Sequence, residues 1–210
     1  MGGGRYGTKA ARYLIARGIS CVIVDPDPGC PAIDVIREMD NGSFFVRGGL
    51  EEALRIFIRY RPVRVFPTAP LHVAAGLVSL AHGLRESPAG LQFLLSRFPP
   101  HLVQGMKGGS LYLSRNRDGL CIPDCPEPDT CPVTGGPRSI PLSSELRILL
   151  PEAHILESLQ VAPGLGALRG GDVDALLALN TSREKVVVGT ACRCHGVVTI
   201  LDKDPGPGCS

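Results

Sequence analysis

Three glycines at the start of the chain, Gly2, Gly4 and Gly7, complete a G-x-G-x-x-G pattern, and together with the residues after them they narrow the fold more than any other feature. From Arg5 to Arg17 the apolar residues Tyr6, Ala10, Tyr13 and Leu14 recur at helical spacing, and Gly18 stops the helix. Ile19 to Val24 then reads as a buried strand that delivers Asp25 to its C-terminal end, 23 residues after the first glycine. The alternation continues with a strand at Ser43 to Arg47, a helix at Leu50 to Tyr60, a strand at Val63 to Pro67 and a helix at His72 to Leu84. Strands alternating with helices imply a parallel sheet covered by helices.

Glycine loop, helix, strand and acid in that order make a Rossmann-type unit. Glycines let the backbone approach a pyrophosphate, the helix N-terminus offers free N–H groups and partial positive charge, and the carboxylate accepts hydrogen bonds from the adenosine ribose. The candidate cofactor-binding residues are Gly2, Gly4, Arg5, Tyr6, Gly7, Asp25, Gly48 and Thr68. Gly48 and Thr68 enter because their turns come after later strands, where ligands of such sheets bind. Asp25 favours NAD(H), since a 2′-phosphate would face its carboxylate. His72, beside the same crevice, is a further contact candidate. The motif normally comes after a central strand, so one expectation is that this first strand is missing and that the start was assigned too late.

The stretch GGGRYGTKAARYLIARGISCVIVDPD resembles the nucleotide-binding N-terminal domain of potassium-transport regulators, the TrkA or RCK family. The resemblance covers residues 2–84. It implies a regulatory rather than reacting NAD or related adenine nucleotide, and it raises a potassium-transport regulatory subunit as one function. Where that family has Gly-Asp after its third strand, this chain has Gly48 and Gly49.

From Leu102 the pattern changes to a β-hairpin, LVQGM and LYLSR around a KGGS turn. Residues 119–141 then hold six prolines, three glycines and Cys121, Cys125 and Cys131, a stretch unable to form a helix or a central strand. A metal gathered by thiolates would hold such a loop. Further ligands are available in Cys192, Cys194 or His195, at the tip between strands Lys185 to Ala191 and Gly196 to Asp202. The candidate metal set is therefore Cys121, Cys125, Cys131, Cys192 and Cys194, with His195 as an alternative. The C-x3-C-x5-C spacing leaves zinc and an iron–sulfur cluster both open.

Other cysteines read as structural: Cys21 as a mid-strand core residue and Cys209 as free in the tail, with Cys30 undecided. His154 reads as a strand residue without chemistry. Residues 163–171 form a glycine-rich connector or a second anion loop beside Arg169, with Asp172 as N-cap of a helix from Val173 to Leu179.

The expected architecture is α/β: a Rossmann-like parallel sheet lacking its first strand over 1–100, a small β-rich cysteine module over 101–205, and a flexible tail over 206–210. The 210 residues carry a net charge of +2 and no basic stripe interleaved with aromatics, which argues against nucleic acid as a partner. No apolar run approaches the ~20 residues of a membrane span, and no signal peptide is evident, so a cytoplasmic site is expected. Signatures of common dehydrogenases, zincins, hydrolases and P-loop proteins are missing from the sequence. The favoured function is an NAD(H)-binding regulatory or redox-sensing protein with a cysteine-ligated metal or iron–sulfur site. An iron–sulfur oxidoreductase exchanging electrons with a nicotinamide or a partner protein is the rival, and a protein partner or homo-oligomer is left open.

Overall fold

A computed structural model of the chain describes residues 1–37, 41–119, 121–180 and 185–203. The glycine turn opens α1 (Arg5–Ile15), which buries its small residues Gly7, Ala10 and Ala11 and so lies close to its neighbours. β1 (Val22–Asp25), α2 (Ala32–Arg37) and β2 (Phe44–Arg47) come next, and β1 pairs with β2 in parallel, Val22 opposite Phe44 and Asp25 opposite Arg47. α3 (Leu50–Tyr60) then leads to the short β3 (Arg64–Val65).

Among the described residues, the N-terminal parallel sheet comprises β1 and β2. The strand expected over Val63 to Pro67 is reduced to β3, and its sheet partner comes from far along the chain. The backbone of Met1 and Gly2 lies between β1 and the segment after β3: Gly2 N–H donates to the Val24 carbonyl (2.9 Å) and Thr68 N–H to the Met1 carbonyl (2.9 Å).

α4 (Val73–His82) buries Val73, Ala74, Ala75, Leu77 and Val78, so it is apolar around most of its circumference and becomes the central helix of the molecule. Gly83 ends it in the left-handed conformation. β4 (Leu84–Glu86) and α5 (Leu91–Arg97) lead into the hairpin β5 (Val103–Lys107) and β6 (Ser110–Ser114). After the cysteine loop come α6 (Leu142–Leu149), β7 (His154–Glu157), β8 (Leu159–Ala162), β9 (Leu165–Arg169) and α7 (Gly170–Leu177). Arg169 rather than Asp172 precedes the first turn of α7, and Asp172 lies within that turn.

The last hairpin, β10 (Lys185–Ala191) and β11 (His195–Lys203), is the spine of a mixed sheet ordered β5-β6-β11-β10-β7, with β4 also on β11. Its period-2 alternation feeds two cores at once. Val186 and Val188 face α4, Phe57 and Leu168, whereas Val187 and Ala191 face Leu94, Leu113, Leu142 and Leu146. A third, small sheet runs β3-β9-β8, all antiparallel, and joins the early part of the chain to the late part. Among the described residues no helix is long and apolar enough to cross a membrane.

Candidate functional site: a thiol cluster over the glycine helix

The glycine turn is shaped by close backbone approach. A β-carbon on Gly7 would fall 1.9 Å from the Gly2 carbonyl oxygen, so only glycine fits there, and Gly2 itself has φ +95°. Gly4 is different: nothing lies within 4 Å of the place its β-carbon would occupy, leaving the entrance to α1 open. The Thr68 hydroxyl holds the turn from the other side, within hydrogen-bonding distance of the Met1 (2.7 Å) and Gly2 (2.8 Å) carbonyls.

Asp25 sits where the sequence places it, at the end of β1, but its carboxylate is engaged by the chain's own backbone. It accepts from the Gly3 N–H (2.6 Å) and the Asp27 N–H (2.8 Å). The Gly48 N–H meets the Asp25 carbonyl rather than an open crevice (3.0 Å). Cys30 is buried against Gly3. Cys21 lies half-buried just before β1, not within it, with its N–H donating to Ser43 Oγ. His72 faces away from the glycine turn, toward Thr190 and Thr199 on the central hairpin. His154 is an exposed first residue of β7, and Cys209 lies outside the described residues.

The two cysteine segments meet. The loop carrying Cys121 and Cys125 is tied down on one side by Lys9 of α1, which pairs with Asp124 and donates to the Pro163 carbonyl. Gln160 Nε2 and Gly164 N–H both donate to the Cys125 carbonyl (2.7 and 3.1 Å). On the other side Arg193 of the hairpin tip pairs with Asp129. The result is a cavity of about 380 Å³ lined by Cys121, Cys125, Cys192, Cys194 and His195, and also by Arg5 and Tyr6 at the start of α1.

Within it Cys121 Sγ lies 3.3 Å from His195 Nε2 and 3.5 Å from Asn116 Nδ2. Burial pushes the Cys192 thiol up to about 12 and the Cys194 thiol up to about 11, and the Glu127 carboxylate pushes both the same way. Burial lowers the pKa of His195. These three groups are therefore neutral at pH 7.

Cys131 stands apart from the other four. It is 4% exposed and lines a second cavity of about 220 Å³ with Arg115, Thr134 and Glu145. Arg138, also 4% exposed, is the wall between the two cavities. Among the described residues, no three His, Cys, Asp or Glu side chains converge closely enough to hold a metal ion. Arg138, Glu127 and Asn116 are site residues that sequence reasoning passes over. An arginine or glutamate in a proline-rich loop carries no periodicity to say that it is buried.

Residues 74–204 match the family model AF_1314_C, described as the C-terminal domain of an uncharacterized protein, and residues 1–73 match AF_1314_N, the corresponding N-terminal domain. The chain belongs to the AF_1314 family. A relative from Archaeoglobus fulgidus, described as an uncharacterized protein, is 39% identical over 211 residues, covering 97% of this chain and 98% of that protein. No solved structure matches the chain. The boundary between the two AF_1314 segments falls at residue 73, where α4 begins, so the glycine turn belongs to one segment and the thiols of both cavities to the other.

Proposed function

We propose that this protein is a cytoplasmic, dinucleotide-binding redox sensor, in which the glycine turn takes NAD(H) and the thiol cluster responds to the redox state of its surroundings. One observation carries it: Arg5 and Tyr6, the first two residues of the helix that the glycine motif opens, line the same cavity as Cys121, Cys125, Cys192, Cys194 and His195. A ligand phosphate at the N-terminus of α1 would be within reach of the cysteine loop, so occupancy of one site alters the other.

The open space at Gly4 supports this assignment, because pyrophosphate must approach the backbone there. The engagement of Asp25 is compatible with it. A carboxylate offers about four lone-pair sites, and the two backbone N–H groups leave acceptor capacity for ribose hydroxyls. The donor chemistry of thiols with an imidazole suits zinc or an iron–sulfur cluster, but the described side chains do not gather three donors at one point, so no step is assigned to a metal.

The test is a titration of reduced and thiol-oxidised protein with NADH, monitored by the nicotinamide fluorescence, which the lack of tryptophan leaves free of energy transfer from that residue. Saturable binding that differs between the two protein states by several-fold is expected. Equal affinity in both states, or no binding, overturns the proposal. Iron or zinc at one equivalent or more in the same anaerobically purified sample would replace the thiol sensor by a metal site.

A further inference from the structure

A guanidinium does not lose its proton in a protein, and a buried charge needs an opposite charge beside it. Arg138 is 4% exposed, yet among the described residues no carboxylate forms an ion pair with it. Its side chain donates instead to two sulfurs: Nη2 to Cys131 Sγ at 2.5 Å and Nη1 to Cys125 Sγ at 4.0 Å. Glu127 and Glu145 line the cavities on either side of Arg138 without pairing with it; the acceptors its side chain touches are the two sulfurs, and Cys131 is the closer of them. The turn Cys-Pro-Val-Thr adds the Thr134 N–H, 3.4 Å from the same sulfur.

We infer that Cys131, a thiol activated by Arg138, reacts as its thiolate with hydroperoxides, and that Cys125, on the other terminal nitrogen of the same guanidinium, is the thiol that resolves the product. This deepens the redox-sensing proposal, on which it rests, by naming the residue that senses. The Thr134 N–H and the Arg138 guanidinium both donate to the Cys131 sulfur and so favour its charged form. Access is provided by the cavity of about 220 Å³ that Cys131 lines, several times the ~30 Å³ share of a liquid water molecule.

In the first step the Cys131 thiolate attacks one peroxide oxygen. An S–O bond forms and the O–O bond breaks. Sulfur is oxidised by two electrons to a sulfenic acid, while the departing hydroxide or alkoxide takes a proton from solvent. In the second step the Cys125 sulfur attacks the sulfenic sulfur; an S–S bond forms, the S–O bond breaks, and the thiol proton leaves with the oxygen as water. The disulfide has no charge, so Arg138 loses its counter-ion and must move toward solvent. Arg138 also walls the cavity shared by Arg5, Cys121 and Cys194, and its displacement carries the signal to the glycine helix.

The experiment uses the full chain, reduced and freed of reductant, then exposed to hydrogen peroxide and mapped by peptide mass spectrometry. A Cys125–Cys131 disulfide is expected in the unsubstituted protein, and a dimedone adduct on Cys131 in Cys125→Ser. Cys131 should react at least tenfold faster than Cys21, Cys30 or Cys192. Arg138→Met should slow it by a similar factor and Arg138→Lys less so, while Cys21→Ser, outside the cluster, leaves the rate unchanged. Should Arg138→Met fail to fold, the disulfide map of the unsubstituted protein and the adduct map of Cys125→Ser decide. Oxidation centred on another cysteine, or undiminished peroxide reactivity in Cys131→Ser, overturns the inference. NADH binding by a protein whose Cys131 is inert overturns this inference alone, whereas a reactive Cys131 without nucleotide binding overturns the dinucleotide sensor alone.

Discussion

His72 shows how a single polar side chain is used as a rivet. Its ring is 7% exposed, with Nδ1 2.7 Å from Thr199 Oγ1 and Nε2 3.0 Å from Thr190 Oγ1, and Ser110 Oγ lies 2.6 Å from the same Thr199 oxygen. Burial lowers its pKa from 6.5 to about 3. The folded protein keeps the ring neutral while the unfolded chain takes up a proton near pH 6.5, so this residue makes stability fall as the pH drops from 6.5 toward 3. The slope reaches about 1.4 kcal/mol per pH unit. His72→Leu should unfold at lower urea at pH 7.5, by about 1–3 kcal/mol because the threonine hydroxyls lose their partner. It should also lose less stability between pH 7.5 and 5 than the unsubstituted protein. Parallel losses in the two proteins would contradict this account. The residue scale is also where the sequence was least transparent: the cysteines announce themselves by type and spacing, but the burial of Arg138 depends on a loop without periodicity and on a hairpin tip 55 residues on, and the direction of His72 on strands that arrive from over a hundred residues away.

Helix α1 with its glycine turn is the element on which the nucleotide proposal can be tried most directly. Gly7→Ala would drive a methyl group into the Gly2 carbonyl and should cost about 3 kcal/mol, read as a lower denaturation midpoint. Gly4→Ala meets open space at φ −70° and should change stability by less than about 1 kcal/mol, the difference between glycine and alanine at a helix N-cap. NADH affinity should nevertheless fall by about tenfold or more, since the methyl group stands where pyrophosphate approaches, a change of about 1.4 kcal/mol. Unchanged affinity in Gly4→Ala would remove the glycine turn as the binding site. Elements with strong local signals sit where the sequence puts them: α3 over Leu50–Tyr60 and β10 over Lys185–Ala191. β1 is shorter than the apolar run around it, and β3 keeps two residues, because hydrophobic spacing marks a strand but does not name its partner. The antiparallel pairing of β3 with β9 joins segments about a hundred residues apart, and nothing local encodes it.

At the scale of the whole molecule the two family segments share their interior. The central core gathers Phe57 and Val73 from the first segment with Leu84, Leu156, Leu168, Val188 and Leu201 from the second. His72 crosses the boundary by hydrogen bonds, and β9 of the second segment completes a sheet with β3 of the first. Thermal unfolding monitored by circular dichroism and by calorimetry should therefore give one cooperative transition, and residues 74–204 made alone should show none. Two separable transitions, or a stable isolated 74–204 fragment, would refute the shared core. The cysteine cavity is legible in part from this distance. The sequence brings the two thiol-bearing segments together as a pair, but it does not reveal that they close over the glycine helix, because that contact is made by Lys9, Asp124 and Pro163, which carry no motif. The strand exchange between β3 and β9 has a consequence for descent: a recombination breakpoint near residue 73 would leave one product with an unpaired sheet edge and the other with a severed core. Selection would then keep the two segments on one reading frame and let them diverge together.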